Sequence, residues 1–271
     1  MRRCAVIGDP AEHSLSPAMY RAGYARYRLD DWRYDAVSVA SEDLDDFLRP
    51  KLEDPTWAGF SVTAPHKPAI LALGEPDEYA RLTGAGNTLC LGDHPTVHNT
   101  DVTGFIRALR AHRLPPTMRA VIVGNGATAR SAFVALAELG TREIIVLARR
   151  PERAQALFEL GADHDIRTWV HPLGTDPGLA GLLINTIPSD AVAPHAATLA
   201  RCTGAVFDCV YDLWPTALAR AAADVGTPVL DGLDLLAGQA VDQFRLLTGH
   251  EVGFRELRSA ADQELRARRG V

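Results

Sequence analysis

Ala120-Val121-Ile122-Val123-Gly124-Asn125-Gly126-Ala127-Thr128-Ala129 is a β-branched run passing into a glycine turn, and a helical pattern over residues 130–139 follows it. A strand leading in, G-x-G-x-x-A, and a helix leading out make up the dinucleotide-binding fingerprint. Gly124 allows the tight turn, and Gly126 lets backbone N–H groups approach a pyrophosphate at the helix N-terminus. A plain βα turn also favours glycine, so the next strand sharpens the reading. Residues 143–147 run into Ala148-Arg149-Arg150-Pro151-Glu152-Arg153. An NAD site places Asp or Glu at the end of this strand to accept from the ribose 2′-hydroxyl. Here the acid is missing and three arginines stand in the segment. Their planar, permanently charged guanidinium groups suit a 2′-phosphate. The plain alternative is a solvated helix start, where the helix dipole disfavours cations. The pattern favours NADP over NAD.

Outward from this point, short apolar runs alternate with longer helical patterns, the rhythm of βα units around a parallel sheet. Strands are expected at residues 4–7, 36–39 and 59–62, and after Pro115-Pro116 at 120–123, 144–147, 182–186, 205–208 and 228–230. Helices are expected at 17–29, 102–112, 128–139, 151–160, 216–225, 235–248 and 254–269. The fold class is therefore α/β. Residues 114–117 carry the strongest linker signal, because two prolines cannot continue a helix. The basic end, Arg266 to Arg269, reads as a solvated helix terminus favoured by the dipole.

A chain of 271 residues suits about two domains at roughly 150 residues each. Its net charge of −6 speaks against sequence-independent nucleic-acid binding. No apolar run approaches the roughly 18 residues that span a bilayer, and Met1-Arg2-Arg3 leads straight into a strand pattern, so neither a membrane nor a secretory signal is expected. Cys4, Cys90, Cys202 and Cys209 form no CxxC pair, which fits a reducing cytoplasm. The histidines are scattered, with no HExxH, so no metal is expected.

Three clusters precede residue 102. In Gly8-Asp9-Pro10-Ala11-Glu12-His13-Ser14-Leu15-Ser16-Pro17, Pro17 suits the first helical position and Ser16 the N-cap. Hydroxyls and free N–H groups at that end suit a small anion such as a carboxylate. In Gly59-Phe60-Ser61-Val62-Thr63-Ala64-Pro65-His66-Lys67, a strand ends with Thr63 and Lys67 at the tip of a turn. A lysine at a strand end beside a cleft can act as a general acid where its surroundings moderate its pKa, but taken alone it reads as a solvated surface group, as most lysines are. The third cluster joins Gly84-Ala85-Gly86-Asn87-Thr88 to His98-Asn99-Thr100-Asp101-Val102-Thr103-Gly104. Asn87 offers donor and acceptor to vicinal hydroxyls, and Asp101 suits either a lysine partner or a helix N-cap.

Taken in order, these clusters resemble the shikimate dehydrogenase family over nearly the whole chain. HSLSP (13–17), SVTAPHK (61–67), GAGNT (84–88), NTDVTG (99–104), GNGATAR (124–130), INTIP (184–188), FDCVYDLWPT (207–216) and GLDLLAGQA (232–240) follow the family's order and spacing. The resemblance implies reversible, NADPH-linked reduction of 3-dehydroshikimate to shikimate, on the route to chorismate and the aromatic amino acids. It implies two domains with a cleft between them: residues 1–101, completed by 235–271, for substrate and catalysis, and a Rossmann-type domain of residues 102–234 for NADP. Ser14 and Ser16 are implied to hold the substrate carboxylate, and Thr63, Asn87, Asp101 and Gln239 the ring hydroxyls. Lys67 falls on the catalytic lysine, assisted by Asp101, and Tyr211 on a substrate-contacting tyrosine. The implied cofactor positions are Gly124, Asn125, Gly126, Ala127, Thr128, Ala129, Arg149, Arg150, Arg153, Thr186, Ile187, Pro188 and Gly232, with Glu78 and Cys209 on the cofactor side. Family members occur as monomers and homodimers.

Some positions depart from the family pattern. Ser61 stands where many relatives have Asn, and Leu235 replaces a frequent methionine. Asn125 replaces a small residue, so its side chain must turn away from a pyrophosphate or add a hydrogen bond. Ala148-Arg149-Arg150 stands where relatives often have N-R-T. Rival readings are a quinate or aminoshikimate dehydrogenase, and a non-catalytic NADP-binding regulatory protein.

Overall fold

The computed structural model describes residues 1–270. The chain divides into two compact units, one of Met1–Gly104 with Leu236–Val271 and one of Phe105–Leu235.

The first unit contains β1 (Arg2–Gly8), α1 (Ser16–Tyr27), β2 (Trp32–Ser38), α2 (Leu44–Leu52), β3 (Trp57–Val62), β4 (Glu75–Pro76), α3 (Glu78–Thr83), β5 (Thr88–Cys90), β6 (Thr96–His98) and the start of α4 (Thr100–Ala111). The second contains β7 (Arg119–Val123), α5 (Ala127–Glu138), β8 (Glu143–Ala148), α6 (Gln155–Asp163), β9 (Arg167–Pro172), β10 (Leu182–Asn185), α7 (Ser189–Val192), α8 (Ala196–Arg201), β11 (Val206–Asp208), α9 (Ala217–Asp224) and β12 (Val229–Leu230). The chain returns to the first unit inside α10 (Gly232–Thr248) and ends with α11 (Phe254–Arg269).

The α/β reading is borne out by two separate six-stranded sheets. The first runs β2-β1-β3-β5-β6-β4, with β2, β1 and β3 parallel and β5 antiparallel to both β3 and β6. The second runs β12-β11-β10-β7-β8-β9 and is parallel throughout. In each, the first strand lies inside the sheet, with its successors on opposite sides. Such a reversal opens a crevice outside the carboxyl ends of the strands, where ligands bind in open α/β sheets. In the first unit that crevice lies between β1 and β3, and in the second between β7 and β10.

Each unit buries its own core. Ile7, Leu48, Phe60, Ile70, Leu89 and Val97 are fully or almost fully buried in the first, and Val121, Val123, Leu147, Leu183, Val206 and Leu218 in the second. Burying such a side chain is worth about 1.5–3 kcal/mol relative to exposure. The first unit adds a ring cluster in which Tyr20 stacks on Tyr34 with centroids 3.8 Å apart and meets Phe244 of α10 at 5.2 Å.

Several expectations change in detail. Strands β4, β5 and β6 are two or three residues long, too short for a period to show. Strand β9 alternates half-buried and exposed residues at the sheet edge and was not expected. Helices α2, α3, α7 and α8 were likewise unmarked; α2 holds Pro50, which masks it as a helix. Residues 114–117 join α4 to β7 inside the second unit, while the chain changes units inside α4 and α10. A boundary within a helix needs no proline or glycine, so composition leaves no mark of it. The segment 151–153 is a 3-10 turn, and α6 starts only at Gln155.

Candidate active site

In the first unit, Lys67 sits in the loop that leaves β3, and its Nζ lies 2.5 Å from Asp101 Oδ2. The two side chains are only 13% and 6% exposed. Asp101 lies in the first turn of α4 and is not the N-cap; Asn99 Oδ1 accepts the Asp101 N–H instead, at 3.1 Å. That exchange frees the Asp101 carboxylate for side chains. Its Oδ1 accepts from Asn87 Nδ2 at 2.9 Å. The same Asn87 amide donates to Thr100 Oγ1 at 3.0 Å and to Gln239 Oε1 at 3.3 Å, and its Oδ1 accepts the Thr100 N–H at 2.8 Å. Lys67, Asp101, Asn87 and Gln239 are thus brought together as one hydrogen-bonded set.

A second amide from α10 reinforces this set and was not singled out in the sequence. Gln243 Nε2 donates to the Asn87 carbonyl at 2.8 Å and to Thr88 Oγ1 at 3.0 Å, while its Oε1 accepts from Ser61 Oγ at 2.9 Å. Gln239 and Gln243 are four apart, on one face of a helix. That spacing was the available signal. Ser61, the departure from the family's Asn, spends its hydroxyl on Gln243.

Ser14 and Ser16 follow β1. The helix α1 begins at Ser16 itself, and no side chain caps it, so Ser16 is not the N-cap. Its N–H donates to Ser14 Oγ at 3.2 Å. The basic C-terminus is more than a solvated helix end: Arg268 donates to the carbonyls of His13 at 2.9 Å and Ser14 at 3.2 Å. Thr63 opens the loop after β3, with its N–H on the Ile7 carbonyl at 2.9 Å, beside the end of β1. Glu78, exposed at the start of α3, belongs to this unit and not to the unit of the other cofactor-side positions.

Next to Glu78, Asp77 caps α3 by accepting from the Ala80 N–H at 2.7 Å, and its other oxygen lies 3.2 Å from His98 Nδ1. The hydrogen bond to Asp77, backed by one to Cys90, raises the His98 pKa to about 9. Burial alone would raise the Asp77 pKa, but His98 and the Ala80 and Asn99 N–H groups outweigh it and lower it. A histidine raised in the folded state contributes stability in full below about pH 6.5, and loses it as pH rises through about 9. The melting temperature is expected to fall between pH 6.5 and 9.5, by the equivalent of about 1–2 kcal/mol. His98→Gln should flatten that slope; an unchanged slope would assign it to other groups.

In the second unit, Gly124 has φ +115°, and a Cβ there would meet Thr186 Oγ1 at 2.3 Å. Thr186 Oγ1 itself donates to the Val123 carbonyl at 2.8 Å, so the loops after β7 and β10 interlock. Gly126 caps α5, and no atom lies within 4 Å of the place its Cβ would take. Ala127 and Thr128 follow with half-buried side chains, and Ala129 is fully buried against the sheet. Asn125 turns sideways: its Nδ2 donates to the Arg150 carbonyl at 3.1 Å, tying the glycine turn to the arginine segment. Arg149, Arg150 and Arg153 are all exposed. Arg149 and Arg150 precede α6 by a 3-10 turn, so the dipole argument against cations at a helix start does not apply to them, while Arg153 ends that turn just before the Ala154 N-cap. Ile187 and Pro188 continue the loop after β10. The Cys209 N–H donates to the Asn185 carbonyl at 3.0 Å, and Tyr211 follows, half-buried. Gly232 packs directly on that strand end, where a Cβ would lie 2.3 Å from the Cys209 carbonyl oxygen.

Over 90% of its length, the chain is 36% identical to the shikimate dehydrogenase (NADP(+)) of Natronomonas pharaonis, covering 92% of that relative. The chain belongs to the shikimate dehydrogenase family. The family model described as the shikimate dehydrogenase substrate binding domain matches residues 6–89, which carry Ser14, Ser16, Thr63, Lys67 and Asn87. Among solved structures, the shikimate dehydrogenase of Mycobacterium tuberculosis superposes with a TM-score of 0.88 at 34% identity, covering 97% of this chain and 100% of that one. A shikimate dehydrogenase from Thermus thermophilus, in complex with NADP(H) and shikimate, has a TM-score of 0.82 at 30% identity, with 97% and 99% covered. Among the described residues no helix is long and apolar enough to cross a membrane, and no group of three or more His, Cys, Asp or Glu side chains is arranged to hold a metal.

Proposed function

We propose that the chain is an NADP-dependent oxidoreductase that interconverts 3-dehydroshikimate and shikimate. The carrying observation is the Lys67–Asp101 pair, with the carboxamides of Asn87 and Gln239 gathered around it. Family membership and the NADP and shikimate named for the Thermus relative support the choice of substrate and cofactor. In this reading Ser14 and Ser16 hold the carboxylate, and Thr63, Asn87, Asp101 and Gln239 hold ring hydroxyls. Tyr211 also contacts the ring. The residues of the second unit fit NADP: the place of a Gly126 Cβ is open, N–H groups lie free at the start of α5, and three guanidinium groups follow β8. Gly124–Ala129, Thr186, Ile187, Pro188 and Gly232 frame that site, with Glu78 and Cys209 on the cofactor side. Four free cysteines suit the cytoplasm.

Bound NADPH, held by the Gly124–Ala129 turn and the arginine segment, would supply the hydride that reduces the ring ketone. Negative charge builds on the ketone oxygen, and Lys67 Nζ gives it a proton. An ammonium carries three N–H donors; Asp101 takes one and fixes the direction of the rest. In the reverse reaction the neutral amine takes the hydroxyl proton. Asp101 is in turn held by Asn87, so it positions the lysine without moving itself.

The deciding experiment is NADP-linked oxidation of shikimate by the purified protein, beside quinate and aminoshikimate, with NAD as control. Turnover with shikimate and NADP is expected. Preference for another ring overturns the substrate, and no turnover with any pair makes the protein a non-catalytic binder. For the carboxylate seat, Ser16→Ala is expected to raise KM for shikimate more than it lowers kcat, since it removes a contact made equally in ground and transition states. Losses confined to kcat would place Ser16 in the chemistry instead.

A further inference from the structure

Asp208, at the end of β11, is fully buried, and the proton transfer described above makes no use of it. Its partners are all neutral. Oδ1 accepts from Asn185 Nδ2 at 2.9 Å and from the Val210 N–H at 3.3 Å, and Oδ2 accepts from Thr216 Oγ1 at 2.6 Å. Burying a carboxylate without a cation is costly, and burial pushes the Asp208 pKa upward against these hydrogen bonds.

Each partner leads to a different loop. Asn185 closes the turn after β10, with its Nδ2 on the Ile187 carbonyl at 3.0 Å and its Oδ1 on the Ile187 N–H at 3.3 Å. That turn carries Thr186, whose hydroxyl interlocks with the strand before Gly124. Val210 stands between Cys209 and Tyr211. Thr216 caps α9 by accepting from the Ala219 N–H at 3.0 Å, so its own proton is committed to Asp208. All three groups present donors, and one carboxylate answers them all.

We propose that Asp208 is a positioning residue for NADP, setting the 186–188 and 209–211 segments together from one buried carboxylate. This rests on the reading of the second unit as the NADP-binding unit. The replacement Asp208→Asn keeps the shape but turns an N–H2 toward a donor.

The test is titration of NADP+ into the full-length protein, wild type and variants, with melting temperature and shikimate binding measured alongside. Asp208→Asn is expected to weaken NADP+ binding about tenfold or more, with a smaller loss of shikimate affinity transmitted through Tyr211. Thr216→Val, which removes one donor, is expected to weaken NADP+ binding, and Thr216→Ser, which keeps it, is expected to leave binding near wild type. A merely structural role would lower the melting temperature and weaken NADP+ and shikimate binding alike. Should Asp208→Asn fail to fold, the Thr216 pair carries the test alone. Unchanged NADP+ affinity in Asp208→Asn and Thr216→Val, or an equal loss in Thr216→Ser, overturns the proposal. A wild-type protein that binds no NADP+ overturns the functional reading beneath it.

Discussion

Lys67→Ala is expected to lower kcat for shikimate oxidation by about 10²–10⁴-fold, the usual worth of a positioned acid–base group, with a much smaller change in KM. The structural reason is that Lys67 is half of a nearly buried ion pair whose other half is already held. The substitution also has a stability cost. Removing one partner of a buried pair costs about 3–5 kcal/mol, because the remaining charge is stranded. Asp101 keeps its bond to Asn87, which softens this. A melting curve taken beside the kinetics separates the two effects: a folded variant with kcat near wild type would remove Lys67 from the chemistry. A fall in kcat matched by an equal rise in KM for Ser16→Ala would undo the division of labour between the lysine and the serine.

The second large effect is on cofactor choice. Replacing both Arg149 and Arg150 by alanine is expected to cut the preference for NADP+ over NAD+ about 100-fold, measured as the ratio of kcat/KM values. Each charge-assisted bond to a phosphate is worth about 1.5–3 kcal/mol, and both guanidinium groups are exposed, which lowers the realised value toward the smaller figure. Activity with NAD+ should change little, because its ribose carries no phosphate. If both cofactors weaken together, the arginines shape the loop through the Asn125–Arg150 bond instead of reading the phosphate.

Much of the second unit was legible because its buried parallel strands read as continuous apolar runs, and the Gly124–Ala129 turn announces its own geometry, while the half-exposed edge strand β9 and the short helices α7 and α8 left no such mark. The small strands β4 to β6 were not legible. They hold their place through pairing with one another and with β3, not through their own patterns. The candidate site divides in the same way. Lys67, Asn87 and Asp101 stood out as motif residues, but which of two uses Asp101 served was settled by Asn99, which takes over the cap. Gln243 carried only its spacing of four from Gln239 as a signal, because a glutamine in a helix reads as an ordinary polar position until β3 and β5 are placed beside it. The basic end is exposed as expected, but the further contacts of Arg268 went unread for a similar reason. A cation at a helix end has a sufficient local explanation, and the carbonyls it serves lie more than 250 residues away.

The return of the chain to the first unit through α10 bears on how the protein is made. Ribosomal synthesis delivers the second unit as an unbroken stretch before Gln239, Gln243 and Arg268 exist as chain. At about 5–20 residues per second, the intervening stretch of roughly 130 residues takes roughly 7–25 s to emerge. Through that interval the nascent first sheet holds Ser61, Asn87 and Thr88 without the helix amides that later satisfy them. The amide that joins Asn87 and, through it, Asp101 comes from α10, so the setting of the lysine and aspartate is complete only after the whole second unit has been made.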